Sequence, residues 1–153
     1  MIRFTLDGAV VEAPDPAARL SSLIADRPGG SVRTPCGIGR CGACTVLVDG
    51  AATPACLALV GRLEGARVET AAGVARRRPD LVRLLAEEAG VQCGYCAPGL
   101  LAAAAAATAT DGATDGAGVD VEELVERLSG NLCRCSGYQG LRRALARLAA
   151  DAS

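Results

Sequence analysis

Eight cysteines and no histidine frame the chemistry open to this chain. Cys36, Cys41 and Cys44 fall within nine residues at C-x4-C-x2-C spacing, and Cys56 follows twelve positions later. This is the plant-type ligand pattern of a [2Fe-2S] cluster. Two irons and two sulfides need four thiolates converging from several sides, and a tight loop can supply three. Gly37, Gly39 and Gly42 lie among the thiols, where positive φ lets the backbone fold closely. Its N–H groups are then expected to point at the sulfurs and raise the reduction potential. Structural zinc sites usually combine two short Cys pairs, which this glycine-lined loop with one distal Cys fits poorly. Cys56 alone could be a buried core thiol. Three neighbouring thiols in want of a fourth make it the expected ligand.

A second set, Cys93, Cys96, Cys133 and Cys135, has C-x2-C…C-x-C spacing and is less specific. By itself it could hold zinc, or Cys93-Gly-Tyr-Cys96 could be a redox dithiol. A thioredoxin-like site needs a strand before the first Cys, whereas the preceding residues have a helical pattern.

The elements that must position these thiols divide at the middle of the chain. Ile2, Phe4 and Leu6 alternate with polar residues, which predicts a strand. Asp7-Gly8 is a hairpin turn, with a return strand over 9–13. Asp15 is expected to cap a helix carrying Pro16 at its first position, with Leu20, Leu23 and Ile24 on its apolar face. A hairpin followed by a crossing helix is how a β-grasp ferredoxin begins. Thr45-Val-Leu-Val48 and a short run at 67–70 add strands, and Asp49-Gly50 is a second hairpin turn. Residues 74–79, with Arg76-Arg-Arg78-Pro79, are expected to be a solvated linker. From Asp80 the period is helical. Leu81, Leu84 and Leu85 mark a first helix with Gly90 as its C-cap. Residues 99–108 mark an alanine-rich second, whose small side chains imply close packing. A Gly/Asp/Thr loop spans 111–118. Asp120 and Glu123 resemble a capping box opening a third helix. Leu141, Leu145 and Leu148 line a fourth over 138–150, with Arg142, Arg143 and Arg147 in solvent. The expected class is α+β: a β-grasp [2Fe-2S] ferredoxin-like domain at 1–73, then a four-helix bundle around the second thiol set at 80–153, which the family resemblance given below makes a [2Fe-2S] domain.

Composition narrows the partners. The chain has 153 residues, is 50% hydrophobic but 2% aromatic, and carries a formal charge of −1. A core of Ala, Val and Leu buries little area per residue, a shortage that two cluster-tied units would relieve. No basic field points to nucleic acid. The chain opens directly on a strand pattern rather than a signal peptide, and no apolar run is long enough to span a bilayer. Metal ligation inside the cytoplasm is therefore expected over disulfides.

Three blocks carry a family resemblance: Cys36-Gly-Ile-Gly-Arg-Cys-Gly-Ala-Cys-Thr-Val46, Gln92-Cys-Gly-Tyr-Cys-Ala-Pro-Gly99 and Ser129-Gly-Asn-Leu-Cys-Arg-Cys-Ser-Gly-Tyr138. They resemble the signature blocks of the small iron–sulfur subunit of molybdenum hydroxylases, the xanthine oxidase family, which includes aldehyde oxidoreductases and carbon monoxide dehydrogenase. Pro35, Ala97 and Ser136 depart from the residues usual there. The resemblance implies two [2Fe-2S] clusters, a large partner subunit bearing molybdopterin and usually a medium subunit bearing FAD. It places the C-terminal cluster nearer molybdenum and the N-terminal one nearer flavin. It also sets Gln92 and Cys135 against the pterin. The expected function is electron transfer, one electron at a time, from the molybdopterin centre to flavin or another acceptor. As a subunit of a molybdenum-dependent oxidoreductase, the chain would do no bond chemistry on the substrate. A free-standing two-cluster electron carrier and a structural zinc module are the alternatives.

Overall fold

A computed structural model describes residues 1–109 and 120–151. The loop expected at 111–118 lies outside the described residues. The fold is mixed α/β, with a five-stranded sheet and, among the described residues, six α-helices.

Strands β1 (Ile2–Leu6) and β2 (Ala9–Ala13) form the predicted antiparallel hairpin. The sheet continues through β3 (Thr45–Val48), β4 (Ala51–Pro54) and β5 (Arg67–Glu69), in the order β2-β1-β5-β3-β4. β5 runs parallel to β1 and antiparallel to β3, so the last strand closes the sheet at its centre.

Helix α1 is short, Leu20–Ala25, and begins after Arg19 rather than at the predicted Asp15 cap. The Asp15 carboxylate instead accepts a hydrogen bond from Ala17 N at 2.8 Å, closing a local turn. The segment 16–20 is instead pinned to a neighbouring one: Gly61 N bonds Pro16 O, Val60 N bonds Ala18 O, and Leu20 N bonds Ala58 O, each at 2.9 Å, with Arg19 in extended backbone. Backbone partners supplied from forty residues away outcompete the local helix signal.

The stretch read as a linker is helical. Helix α2 spans Ala71–Arg77, and the Thr70 hydroxyl caps it by accepting from Ala72 N at 3.2 Å. The same hydroxyl donates to Asp7 Oδ2 at 2.6 Å, and Thr70 N donates to Asp7 Oδ1 at 2.8 Å. The hairpin turn of the sheet thus fastens the start of α2. Arg78 is buried and pairs with Asp80 at 2.8 Å, so the basic triplet is not uniformly solvated.

Helices α3 (Pro79–Glu87), α4 (Ala97–Ala107), α5 (Val121–Arg127) and α6 (Gln139–Asp151) follow. With α2 they make five helices around the second core, one more than predicted. α3 ends in left-handed backbone at Ala89, φ 52°, so Gly90 is not the residue that turns the chain. Asp120 precedes α5 but makes no side-chain cap bond, and Glu123 pairs with Arg127 at 2.6 Å instead of reaching back. Arg142, Arg143 and Arg147 are not simply solvated. Arg142 pairs with Glu122, while Arg143 and Arg147 reach Glu88 at 3.0 and 2.8 Å, pinning α6 to α5 and α3. Such exposed pairs each add less than about 1 kcal/mol.

Two apolar clusters form the interior. One gathers Phe4, Leu6, Val11, Leu20, Ile24, Val46, Val60 and Val68 under the sheet, with Cys44 and Cys56. The other gathers Leu81, Leu84, Leu100, Leu124, Leu141 and Leu145 around α4, whose Ala102, Ala103, Ala104, Ala105 and Ala107 are all buried. β3 serves both. Val46 joins the first cluster, and its neighbour Leu47 points the other way into the second, as strand alternation requires.

Candidate metal centres

The first loop folds as its glycines predict. Gly37, Gly39 and Gly42 have φ of 65°, 75° and 71°, so three reversals bring the thiols of a short segment together. Cys56 arrives from the turn after β4, and both Cys44 and Cys56 are 1% exposed. The sulfurs meet backbone donors. Gly39 N donates to Cys56 Sγ at 3.1 Å. Backbone hydrogen bonds, the strongest from Ile38, bring the Cys36 thiol down to about 6. Burial pushes Cys44 the other way, up to about 11. Cys36 lies close enough to Cys41, and Cys44 to Cys56, for the side chains to shift one another's acidity.

The second set is assembled by packing rather than by one loop. Cys93 and Cys96 sit between α3 and α4, and Cys133 and Cys135 between α5 and α6. Cys135 Sγ stands 3.5 Å from Cys93 Sγ, and Cys96 pairs in the same way with Cys133. Burial raises Cys96 to about 12. Burial also opposes ionisation of Cys133, but hydrogen bonds from Ser136 outweigh it and bring that thiol to about 7. Ser136 N and Oγ lie 3.4 and 3.2 Å from Cys133 Sγ. Gln92, Cys93 and Cys135 are all exposed, and Tyr95 is 52% exposed.

All eight predicted cysteines therefore fall into two quartets, each made of two thiol pairs. Among the described residues no three Cys, Asp or Glu side chains form a set suited to one metal ion. Four cysteine thiols per site are a donor set that could hold a [2Fe-2S] cluster. The N–H and hydroxyl groups aimed at sulfur suit anionic thiolates in either quartet.

The quartets are adjacent. Leu132 N donates to Cys41 O at 2.9 Å, and Asn131 Nδ2 donates to Gly42 O at 2.9 Å. A methyl group on Gly99 in α4 would stand 2.1 Å from Gly42 O and 2.9 Å from Ala43 Cα, so the helix needs glycine to approach the first loop. Sequence reasoning gave Asn131 and Gly99 no role at the sites and noted Ser136 only as a departure from the residue usual there. Gly99 left a signal, since glycine inside a helix is unfavourable unless packing requires it.

Fold and site together define an iron–sulfur protein, and comparison with known proteins agrees. Residues 70–146 match the family model described as a [2Fe-2S] binding domain. The alpha subunit of isoquinoline 1-oxidoreductase from Brevundimonas diminuta is 33% identical over 100% of this chain and 100% of its own length. The nicotinate dehydrogenase small FeS subunit of Eubacterium barkeri is 41% identical over 81% and 78%. The crystal structure of quinoline 2-oxidoreductase from Pseudomonas putida 86 superposes with a TM-score of 0.81 at 32% identity, covering 99% of this chain and 94% of that one. The chain belongs to the family of small iron–sulfur subunits of molybdenum hydroxylases.

Proposed function

We propose that the chain relays electrons singly between a molybdopterin-bearing large subunit and a flavin-bearing medium subunit or another acceptor. The observation that carries this is the pair of adjoining thiol quartets, joined by the hydrogen bond from Leu132 N to Cys41 O at 2.9 Å. Bound at both, [2Fe-2S] clusters supply one-electron redox chemistry. Cys36 and Cys41 would hold one iron of the first cluster, and Cys44 and Cys56 the other. Cys93 with Cys135, and Cys96 with Cys133, would do the same in the second. The two apolar cores support a division into a β-grasp domain at 1–73 and a helical domain at 80–153, with α2 packed by Val74 into the second core so that the stretch between them goes with the helical part.

The chain's own residues set the conditions for that traffic. Burial of Cys44 and Cys56 keeps water from the inner side of the first site. Donors from Gly39 and Ser136 stabilise anionic sulfur. Exposed Gln92 and Cys135 are the residues that would face the pterin, where an amide and a ligating sulfur can hydrogen-bond to it.

An apolar groove of about 370 Å³ beside the second site, lined by Val82, Leu85, Val91, Pro98 and Leu101, supports a subunit over a free-standing carrier. No helix among the described residues is long and apolar enough to cross a membrane. Reduced thiols at this density fit the cytoplasm. The test is co-purification with the larger subunits, with about four irons and four labile sulfides per chain and two distinct paramagnetic signals on reduction. A colourless, zinc-loaded chain would sink the reading.

A further inference from the structure

We infer that Asn131 is a positioning residue for electron transfer, its buried amide strapping the loop of the first thiol quartet to that of the second and so setting how strongly the two centres couple. This rests on the two-cluster reading above. Asn131 is 7% exposed, one of few buried polar side chains. Its Nδ2 donates to Gly42 O at 2.9 Å and approaches Thr45 Oγ1 at 3.4 Å, across 89 and 86 positions of sequence. The next residue, Leu132, donates its backbone N–H to Cys41 O. Two consecutive residues of one loop thus grip two consecutive carbonyls of the other. Each pair abuts a thiol: Cys41 itself on one side, Cys133 on the other.

The far end of the strap is also held. Tyr138 accepts a hydrogen bond from Cys133 N at 2.6 Å and donates to Asn131 O at 3.4 Å. To do so it sits at φ 62°, a backbone that costs a bulky residue free energy and persists where its surroundings enforce it. The strap is dispensable to the Gly42 carbonyl, which also accepts from Thr45 Oγ1 at 2.7 Å and Thr45 N at 3.1 Å. Removing the Asn131 donor therefore leaves no buried acceptor unpaired, so the expected loss is in coupling rather than in folding. Electron tunnelling between centres weakens steeply when a hydrogen-bonded bridge opens or the gap widens.

The experiment uses the assembled complex. Asn131→Leu keeps the side chain's size and removes its donor. It should retain the iron and sulfide content and both paramagnetic signals. The magnetic interaction between the two reduced centres should shrink, and electron transfer between them should slow several-fold. Thr45→Val removes a donor from the same carbonyl and the longer, 3.4 Å partner of Asn131, but leaves the 2.9 Å bond from Asn131 to Gly42 O in place, and should keep wild-type coupling. A wild-type interaction in a fully loaded Asn131→Leu complex overturns the inference, as does an equal loss in Thr45→Val. If Asn131→Leu does not assemble, Asn131→Ser is read by the same measurements. Failure of both to load clusters also overturns it, because Asn131 would then serve folding. A wild-type chain showing only one signal would instead bring down the two-cluster reading itself.

Discussion

The two thiol quartets hold the same number of sulfurs by opposite means. The first draws three from a nine-residue loop whose path is set by glycines at positive φ. The second draws two from each of two turns that lie about forty residues apart in the chain and meet because helices pack. The first is buried at Cys44 and Cys56, while the second is exposed at Cys93 and Cys135. A site built by a loop depends on local backbone. A site built by packing inherits the stability of its core, and its open side faces whatever docks there.

The sharpest way to break this contrast is Cys56→Ser. It should abolish or distort the first centre's paramagnetic signal and leave the second's. Simultaneous loss of both would mean that the quartets are not separate sites. Next in size, Leu145→Ala, fully buried in the helical core, should cost roughly 2–5 kcal/mol and lose the second centre before the first on heating. Absorption followed separately for each centre checks the order, and loss of the first centre before the second would contradict it.

Gly99→Ala probes the contact between the regions. Its methyl meets backbone, so helix and loop must separate, at about 1–3 kcal/mol. Thermal unfolding should shift down, and both centres should be perturbed together. An unchanged melting curve would show that the close approach is not needed.

The smallest expected effect concerns pH. Hydrogen bonds from the Arg78 guanidinium hold Asp80 below the usual carboxylate range. A depressed carboxylate stabilises the fold above its unfolded value, and that share fades as pH falls through its folded value. Asp80→Asn should therefore lower stability at neutral pH by roughly 1 kcal/mol, after screening of its partly exposed side chain, and flatten the acid limb below about pH 4. Denaturant melts at neutral and acid pH give the comparison. A difference that grows toward acid would reverse the assigned sign.

Much was readable from the amino-acid order because its physics is local. The spacing of Cys36, Cys41, Cys44 and Cys56, the turns at Asp7-Gly8 and Asp49-Gly50, and the apolar stripe of Leu141, Leu145 and Leu148 depend on neighbours within a few residues. What the order could not disclose depends on partners far along the chain. Asp15 carries a good cap residue's chemistry, yet residues 58–61 take the backbone that its helix would need. Arg76-Arg-Arg78 looks solvated until Arg76 donates to Asp7 O at 3.2 Å and Arg78 to Thr108 Oγ1 at 3.3 Å. The pairing of Cys93 with Cys135, the grip of Asn131 on Gly42 and the fit of Gly99 against the first loop exist only once α4 has packed on β3 and the other helices around it. Local bonding rules can be read from a string, whereas contacts between distant parts of the chain are decided by which surfaces the finished core brings together.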